Sequence, residues 1–379
     1  MEIFIHNRIE TITNLLPNWS TLINEYHEVT IFQDISWLAS WWEYKIKQID
    51  ITPYIIEIKN KDQTIGIFPF YLYKRTLAGM SIYVLKPIGS GESDYLTPVI
   101  SKKYATEVTL QSVFSRLHEE KKTWDYIDWG EIPENSFLDT VLRKQSYLGK
   151  LLFKRKKSDI CPFINFTDNS DDFKIKLNKN LMKEIIKKDR RLKKEGKLVF
   201  SIVQSDQEIE PIMNTFFTFH CERWSNTDTP SKYRNKEERD YAIRTAKNLF
   251  KSNLLHLAYL KYNNEIIAID FGMTDGKKLY LYLHAINIKY KKYSVGQLLT
   301  YYLIEHAFKE GYQIVDFLRG DEDYKKKWGT DENFNVKYMI FNQSIKSKIL
   351  YTLYKIRHSK TFNQPFILKR ISYLATEDK

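Results

Sequence analysis

Three strand-like segments stand almost back to back in the second half of this chain: Leu254 to Tyr262, Glu265 to Thr274 and Lys278 to Ala285. Asn263-Asn264 and Asp275-Gly276 supply the joins. Asn, Asp and Gly accept the backbone that tight hairpin turns need. Strands joined this way are antiparallel neighbours, so a doubly wound parallel sheet is excluded here. Before them come a strand, Leu198 to Val203, and two helices, Gln207 to Trp224 and Lys236 to Lys251. After them Val295, Leu298, Leu299, Tyr302, Leu303 and His306 keep helical spacing, which predicts a helix over Val295 to Glu310. Gly311 ends that helix, and Ile314 to Leu318 is the next strand.

The first half has a similar alternation. A helix is predicted over Ser36 to Lys47, then strands at Pro53 to Ile58 and Gln63 to Tyr71 around a polar turn at Asp62-Gln63. Ile82 to Leu85 leads into the Gly89-Ser-Gly-Glu-Ser93 loop, followed by a helix from Thr106 to Glu120 and a strand from Trp124 to Trp129. Between the halves, Asn178 to Glu195 reads as a strongly basic helix with Gly196 at its C′ position. It reads as a solvated bridge or as an anion-binding surface.

With 379 residues, one very large domain or two ordinary ones are expected. The chain has 59 Lys plus Arg against 47 acids, a net charge of +12. That excess fits an anionic partner, or simply a lysine-rich composition. The longest apolar run, Ile65 to Tyr73, is too short to span a bilayer. The N-terminus lacks a basic segment followed by an apolar one, so no secretion signal is expected and the protein reads as cytoplasmic. Cys161 and Cys221 form no Cys-x-x-Cys pair and read as free thiols. The eight histidines show no metal-ligand spacing, and no metal is predicted.

Two stretches are chemically dense. One is the turn before the amphipathic helix: Lys291, Tyr293, Ser294, Val295, Gly296, Gln297 and Leu298. Free amides at a helix N-terminus attract phosphates, and Gly296 permits close approach; the same turn also reads as a helix start capped by Ser294. The other follows strand Ile314 to Leu318 and holds Arg319, Asp321, Glu322, Tyr324, Lys325 and Trp328. Such a cluster can position a substrate and move a proton. Arg319 and Asp321 read equally well as an ion pair closing the loop, and Trp328 as core or as an acceptor wall. His220, Arg223 and Trp224 share one helix face, which reads equally as acceptor binding or as a packed helix with a satisfied His; His284 on its strand reads as a pocket base or, more commonly, as a structural histidine.

Lys291-x-x-Ser294-x-Gly296 resembles the (Arg/Gln)-x-x-Gly-x-(Gly/Ala) pyrophosphate loop of GNAT acyltransferases, with lysine for Arg or Gln and serine for a glycine. Tyr293-Ser-Val-Gly-Gln-Leu-Leu, Gly311 and Asp316-Phe-Leu-Arg-Gly-Asp-Glu-Asp-Tyr-Lys-Lys-Lys-Trp328 follow in series. That series resembles the CelD-type (cellulose-biosynthesis-associated) branch, itself related to Fem-type peptidoglycan aminoacyltransferases. Phe32-Gln-Asp-Ile-Ser-Trp37 with Trp41 and Trp42, Asp94-Tyr95, Trp124-Asp-Tyr-Ile-Asp128, Cys161-Pro-Phe-Ile and Phe219-His-Cys-Glu-Arg-Trp224 agree in order, so the resemblance covers about residues 30–340.

The resemblance implies an α/β (α+β) fold: two GNAT-like acyltransferase domains in tandem, with mixed, mostly antiparallel sheets flanked by helices. The implied division is 1–160, a connector over 161–197, an acyltransferase domain over 198–343 and a basic helical tail over 344–379. Acetyl-CoA or another acyl-CoA would lie along Lys291 to Leu298 and donate its acyl group to the amine of a sugar or other small metabolite. Tyr324 is the implied acid for the leaving thiolate. Asp321 and Arg319 would handle the amine or a carboxylate, with His220, Arg223, Trp224, His284, Glu322, Lys325 and Trp328 around the acceptor. The competing readings are a Fem-type ligase using aminoacyl-tRNA and a non-catalytic basic binding module. The amphipathic tail packs on the body or touches an anionic membrane surface.

Overall fold

The computed structural model describes residues 1–77, 79–144, 151–166, 177–225, 227–328 and 330–357. The tail beyond 357, part of the sequence reading, lies outside the described residues. In chain order the elements are β1 (Glu2–His6), α1 (Glu10–Leu15), α2 (Trp19–Glu25), α3 (Ile35–Lys45), β2 (Ile51–Asn60), β3 (Gln63–Leu77), β4 (Met80–Pro87), β5 (Val99–Ile100), α4 (Glu107–Glu119), β6 (Tyr126–Pro133), α5 (Phe137–Arg143) and β7 (Leu152–Asn165). There follow α6 (Lys179–Glu195), β8 (Leu198–Ile202), α7 (Asp206–Arg223), α8 (Lys236–Lys251), β9 (Leu255–Tyr262), β10 (Glu265–Thr274), β11 (Lys278–Ile286), α9 (Val295–Lys309), β12 (Ile314–Asp316), α10 (Asp323–Lys326), β13 (Asp331–Phe341) and α11 (Ile345–Arg357).

Two compact units result. Unit 1 takes Met1–Val29, Lys45–Ser158 and the chain from Val336 on; unit 2 takes Thr30–Tyr44 and Asp159–Asn335. In unit 1, β1, β2, β3 and β4 are antiparallel neighbours, and β4 runs parallel to β6. In unit 2, β8, β9, β10 and β11 form an antiparallel meander. Asn263 and Asn264 take φ of 48° and 70°, the paired left-handed conformation of a tight hairpin turn.

The end of the unit 2 sheet creates an opening. β11 and β12 pair in parallel only over Lys278–Tyr280 and Ile314–Asp316. β12 also pairs antiparallel with the second part of β7, Ile314 opposite Asn165 and Asp316 opposite Phe163. Beyond Asp316 the chain stays with β7: Phe317 N–H donates to Pro162 O (2.9 Å) and Gly320 N–H to Ile160 O (2.8 Å). β11 meanwhile runs on to Ile286. The two strands therefore part at their carboxyl ends.

Both faces of this sheet are covered. Leu181, Met182, Ile185 and Leu192 of α6 pack with Leu298, Leu299, Leu303 and Ile304 of α9 over one face. Phe216 and Phe217 of α7 and Ala246 of α8 pack with Leu257, Ile269 and Phe271 over the other. Burying one such side chain fully contributes about 1.5–3 kcal/mol. The basic helix is thus not a fully solvated bridge: its apolar side is core, and its lysines other than Lys188 face out. Gly196, expected as a left-handed cap, is instead extended at φ 178°. What it supplies is space, because a Cβ there would meet the Asn263 side chain at 2.5 Å.

The segment Thr30–Tyr44 joins unit 2 through aromatic contacts. Trp37 meets Tyr282 edge-on at 5.5 Å and Tyr44 stacks on Tyr241 at 4.3 Å. Polar contacts add to these: Asn248 Nδ2 donates to Ser40 Oγ (2.9 Å), and the Tyr44 hydroxyl bonds Glu238.

Candidate active site

The first part of the site is a backbone cradle. The chain leaves β11 through a short 3-10 helix, Ile288–Tyr293, and enters α9 at Ser294. Ser294 does not cap α9 with its side chain, contrary to the simpler sequence reading. It takes φ 51° and ψ 45°, a left-handed backbone that non-glycine residues resist. It stands where the resembled loop has a glycine. The Ser294 hydroxyl instead receives Lys188 Nζ of α6 at 2.6 Å. Ser294 N–H donates to Lys291 O (3.0 Å), and the first helical bond runs from Leu298 N–H to Ser294 O (3.0 Å). The N–H groups of Val295, Gly296 and Gln297 precede that bond and are the unspent donors of the helix start. A Cβ on Gly296 would meet only Ile286 Cγ2, at 3.3 Å.

Side chains play little part in that cradle. Val295 and Leu298 are buried in the core, and Lys291 is exposed. Tyr293 is anchored by its hydroxyl on Glu195 Oε2 (3.0 Å) and covered by Arg191 at 5.4 Å. Gln297 is partly buried.

The second part follows β12. Asp316 Oδ1 accepts the Leu318 N–H at 2.8 Å, turning the chain. Leu318 takes φ 58° and Gly320 φ 123°. A left-handed bulky residue is a rare backbone outlier, and such strain gathers at functional sites. Lys325 is 4% exposed and reaches back into this loop. Its ammonium donates to Arg319 O (2.7 Å) and Leu318 O (3.4 Å) and pairs with Glu322 (3.0 Å). Lys325 therefore shapes the loop, while Asp321 and Glu322 are exposed at its rim. Trp328 is fully buried in the core, with no partner for its indole N–H among the described residues.

Tyr324 sits on α10 with 38% of its surface exposed. Burial of the hydroxyl end, then the carboxylates of Glu322 and Asp270, push its phenol above the ordinary value; Arg223 pulls the other way. Exposure averages over the whole residue, whereas titration senses only the phenol. Those influences bring residues of α7, β10 and α10 into one neighbourhood.

Asp270 belongs to that neighbourhood and was not singled out in the sequence. It lies on β10 directly opposite His284 of β11, whose Nε2 is 2.7 Å from Asp270 Oδ1. That distance is an ion-pair contact, although the angle falls short of a well-formed hydrogen bond. Asp270 is fully buried, and burial raises its pKa against the opposing pull of His284. His256, paired with Gly272 on β9, is also buried and pushed down to about 3, by burial first and His306 second. The signal for Asp270 was present in the sequence as a lone acid inside Ile-Ile-Ala-Ile-Asp-Phe-Gly-Met.

His220, Arg223 and Trp224 do share a face at the end of α7. His220 stacks on Trp224 at 6.1 Å, and the Arg223 guanidinium lies 5.6 Å from the Trp224 ring. His220 Nδ1 bonds Ser231 Oγ at 2.8 Å. Burial, followed by Arg223 and Lys232, pushes its pKa down to about 4, so the ring is neutral near pH 7. Among the described residues no group of three His, Cys, Asp or Glu is placed to hold a metal ion, and no helix is long and apolar enough to cross a membrane.

Residues 179–326 match the family model described as Acetyltransferase (GNAT) domain. Unit 2 carries a GNAT acyltransferase domain. The chain is accordingly an acyltransferase enzyme, and its mixed sheets flanked by helices are those of the GNAT fold. No curated protein matches it by sequence. Among solved structures it is similar to FemX at 12% identity, with TM-score 0.62, over 93% of this chain and 99% of that one. It is also similar to a conserved protein of unknown function from Bacteroides thetaiotaomicron VPI-5482, at 15% identity and TM-score 0.54, over 90% and 100% of the two chains. L-PGS from Bacillus licheniformis is similar at 12% identity and TM-score 0.51, over 93% and 98%. At these identities the likeness concerns the fold.

Proposed function

We propose that the GNAT domain transfers an acyl group, acetyl in the simplest case, from acyl-CoA to the amine of a sugar or other small metabolite. The motif series after β11 further supports the CelD-type branch. The observation that carries the reading is the parting of β11 and β12 beside the unspent amides of Val295, Gly296 and Gln297. An extended thioester arm fits between diverging strands, and the amides with the α9 dipole suit a pyrophosphate.

In this reading Val295 to Gln297 bind through backbone N–H groups, and Gly296 keeps the approach open. Lys188 holds Ser294, and with it the left-handed turn that aims those amides. Tyr324 supplies a hydrogen bond to the departing thiolate. Its phenol lies above the ordinary value, and a thiol titrates near 8.5, so it stabilises the thiolate by donation more readily than by complete proton transfer. The neutral His220 and the Arg223–Trp224 pair line the acceptor side.

The test is a thermal-shift titration with acetyl-CoA, longer acyl-CoAs and free CoA. A ligand bound only by the folded state raises Tm by mass action. Absence of a shift with every acyl-CoA would reject the reading. The second reading, an aminoacyl-tRNA donor, is favoured by one observation: the basic α6 lies against the same loop through Lys188 and Arg191. Binding of tRNA that weakens steeply with salt, without any acyl-CoA shift, would replace the first reading with the second.

A further inference from the structure

We propose that Asp270 and His284 form a buried carboxylate–imidazole pair in which His284 takes the proton from the attacking amine and Asp270 positions its ring. The proposal rests on the acyl-transfer reading above. It extends that reading to two strand residues, one of which no motif marks.

Three observations converge on the pair. The residues are direct cross-strand partners, with Asp270 Oδ1 2.7 Å from His284 Nε2. Asp270 is fully buried, and neither of its oxygens has a well-formed hydrogen bond among the described residues. Burying a carboxylate is costly, and one kept beside a histidine at an opening is a candidate functional pair. Finally, the strand makes room for it. A Cβ on Gly272 would meet Asp270 Oδ2 at 2.5 Å, Tyr280 O at 2.9 Å and His256 O at 3.1 Å. Glycine weakens a strand interior, and here its missing side chain is the space the carboxylate occupies.

The placement suits the chemistry. His284 lies on β11 past Tyr280, where β12 has already turned away. Its side chain is 14% exposed while that of Asp270 is fully buried, which suits a ring that reaches the opening with a carboxylate behind it. With Asp270 at Nε2, the lone pair sits on Nδ1. The amine nitrogen forms a bond to the acyl carbon, and the carbon–sulfur bond breaks with its electron pair going to sulfur. The amine proton passes to His284 Nδ1, and the thiolate accepts a hydrogen bond from Tyr324. The Tyr280 and His256 carbonyls border the space beside the Asp270 carboxylate, and Asp270 in turn acts on the Tyr324 phenol of α10.

Nitrogen-15 NMR of histidine-labelled full-length protein tests the pair without any substrate. His284→Gln assigns the signals. Neutral His284 is expected as the Nε2–H tautomer, and Asp270→Asn is expected to abolish that preference. A predominant Nδ1–H tautomer in the wild type overturns the pairing even if Asp270→Asn fails to fold. An unchanged tautomer in a folded Asp270→Asn overturns it as well. Release of CoA thiol from acetyl-CoA, with glucosamine as acceptor probe, supplies the kinetic arm. Both variants should lose at least about 10²-fold in kcat with KM for acetyl-CoA nearly constant. Full kcat in His284→Gln would overturn the proton-transfer role. Acyl-CoA binding is measured alongside by thermal shift. Loss of that binding in the wild type, with the tautomer as expected, fails the donor reading and leaves the pairing intact.

Discussion

The donor and acceptor sides proposed for unit 2 are built from different materials. The donor side is backbone: a left-handed Ser294, unspent amides at Val295 to Gln297, and a short 3-10 helix held by Tyr293 and Lys188. The acceptor side is side-chain charge: Asp270 against His284, Lys325 inside its loop, and Tyr324 under the influence of two carboxylates. A backbone site tolerates substitution at most of its positions, because the donors belong to the main chain. A charge site does not, because its side chains hold one another in place.

The largest expected effect sharpens that contrast. Asp270→Asn and His284→Gln should each lower kcat about 10²–10⁴-fold, the range of a general base, with donor KM within a few-fold of wild type. Steady-state rates with acetyl-CoA check this. Next is acid stability, read as Tm against pH. His256 and His220 titrate in the folded protein at about 3 and about 4, below the ordinary 6.5. The unfolded chain therefore takes up protons first. Stability is full above pH 6.5 and is lost as pH falls from about 6.5 toward 3, by on the order of a few kcal/mol. A flat Tm between pH 7 and 4 would refute the buried neutral histidines.

Tyr324→Phe removes one hydrogen bond to a charged group and should cost about tenfold to a hundredfold in kcat. On the donor side, Lys188→Met should raise the Kd of CoA only a few-fold by calorimetry, since it supports the loop indirectly. A donor-side loss larger than the Asp270 effect would break the comparison. Smallest is Ser294→Gly. It relieves a left-handed serine but forfeits the Lys188 contact, so stability should change by less than about 1 kcal/mol in thermal melts.

Much of the fold was legible because local chemistry and global structure agree. Asn263-Asn264 and Asp275-Gly276 do form the hairpin turns, and β10 spans Glu265–Thr274 as its apolar pattern predicts. The turn before α9 was legible for the same reason: a strand, a turn and a helix start are contiguous in sequence. Lys325 and Trp328 were less legible. Nothing in Asp-Tyr-Lys-Lys-Lys-Trp distinguishes a lysine stapling a loop from its exposed neighbours, or a core indole from a substrate wall. Asp270 was visible only as an oddity, since its role depends on a partner fourteen residues away (270 to 284) across a ladder.

The sequence by itself determined the antiparallel meander, the helix that follows it and the turn between them, because turn chemistry and hydrophobic period act over a few residues. The tertiary structure alone decided three things. Thr30–Tyr44 packs into unit 2, β12 leaves β11 to follow β7, and Asp270 faces His284 over a glycine. Each depends on long-range pairing and on exclusion of water, and neither composition nor spacing records which buried charge will meet which.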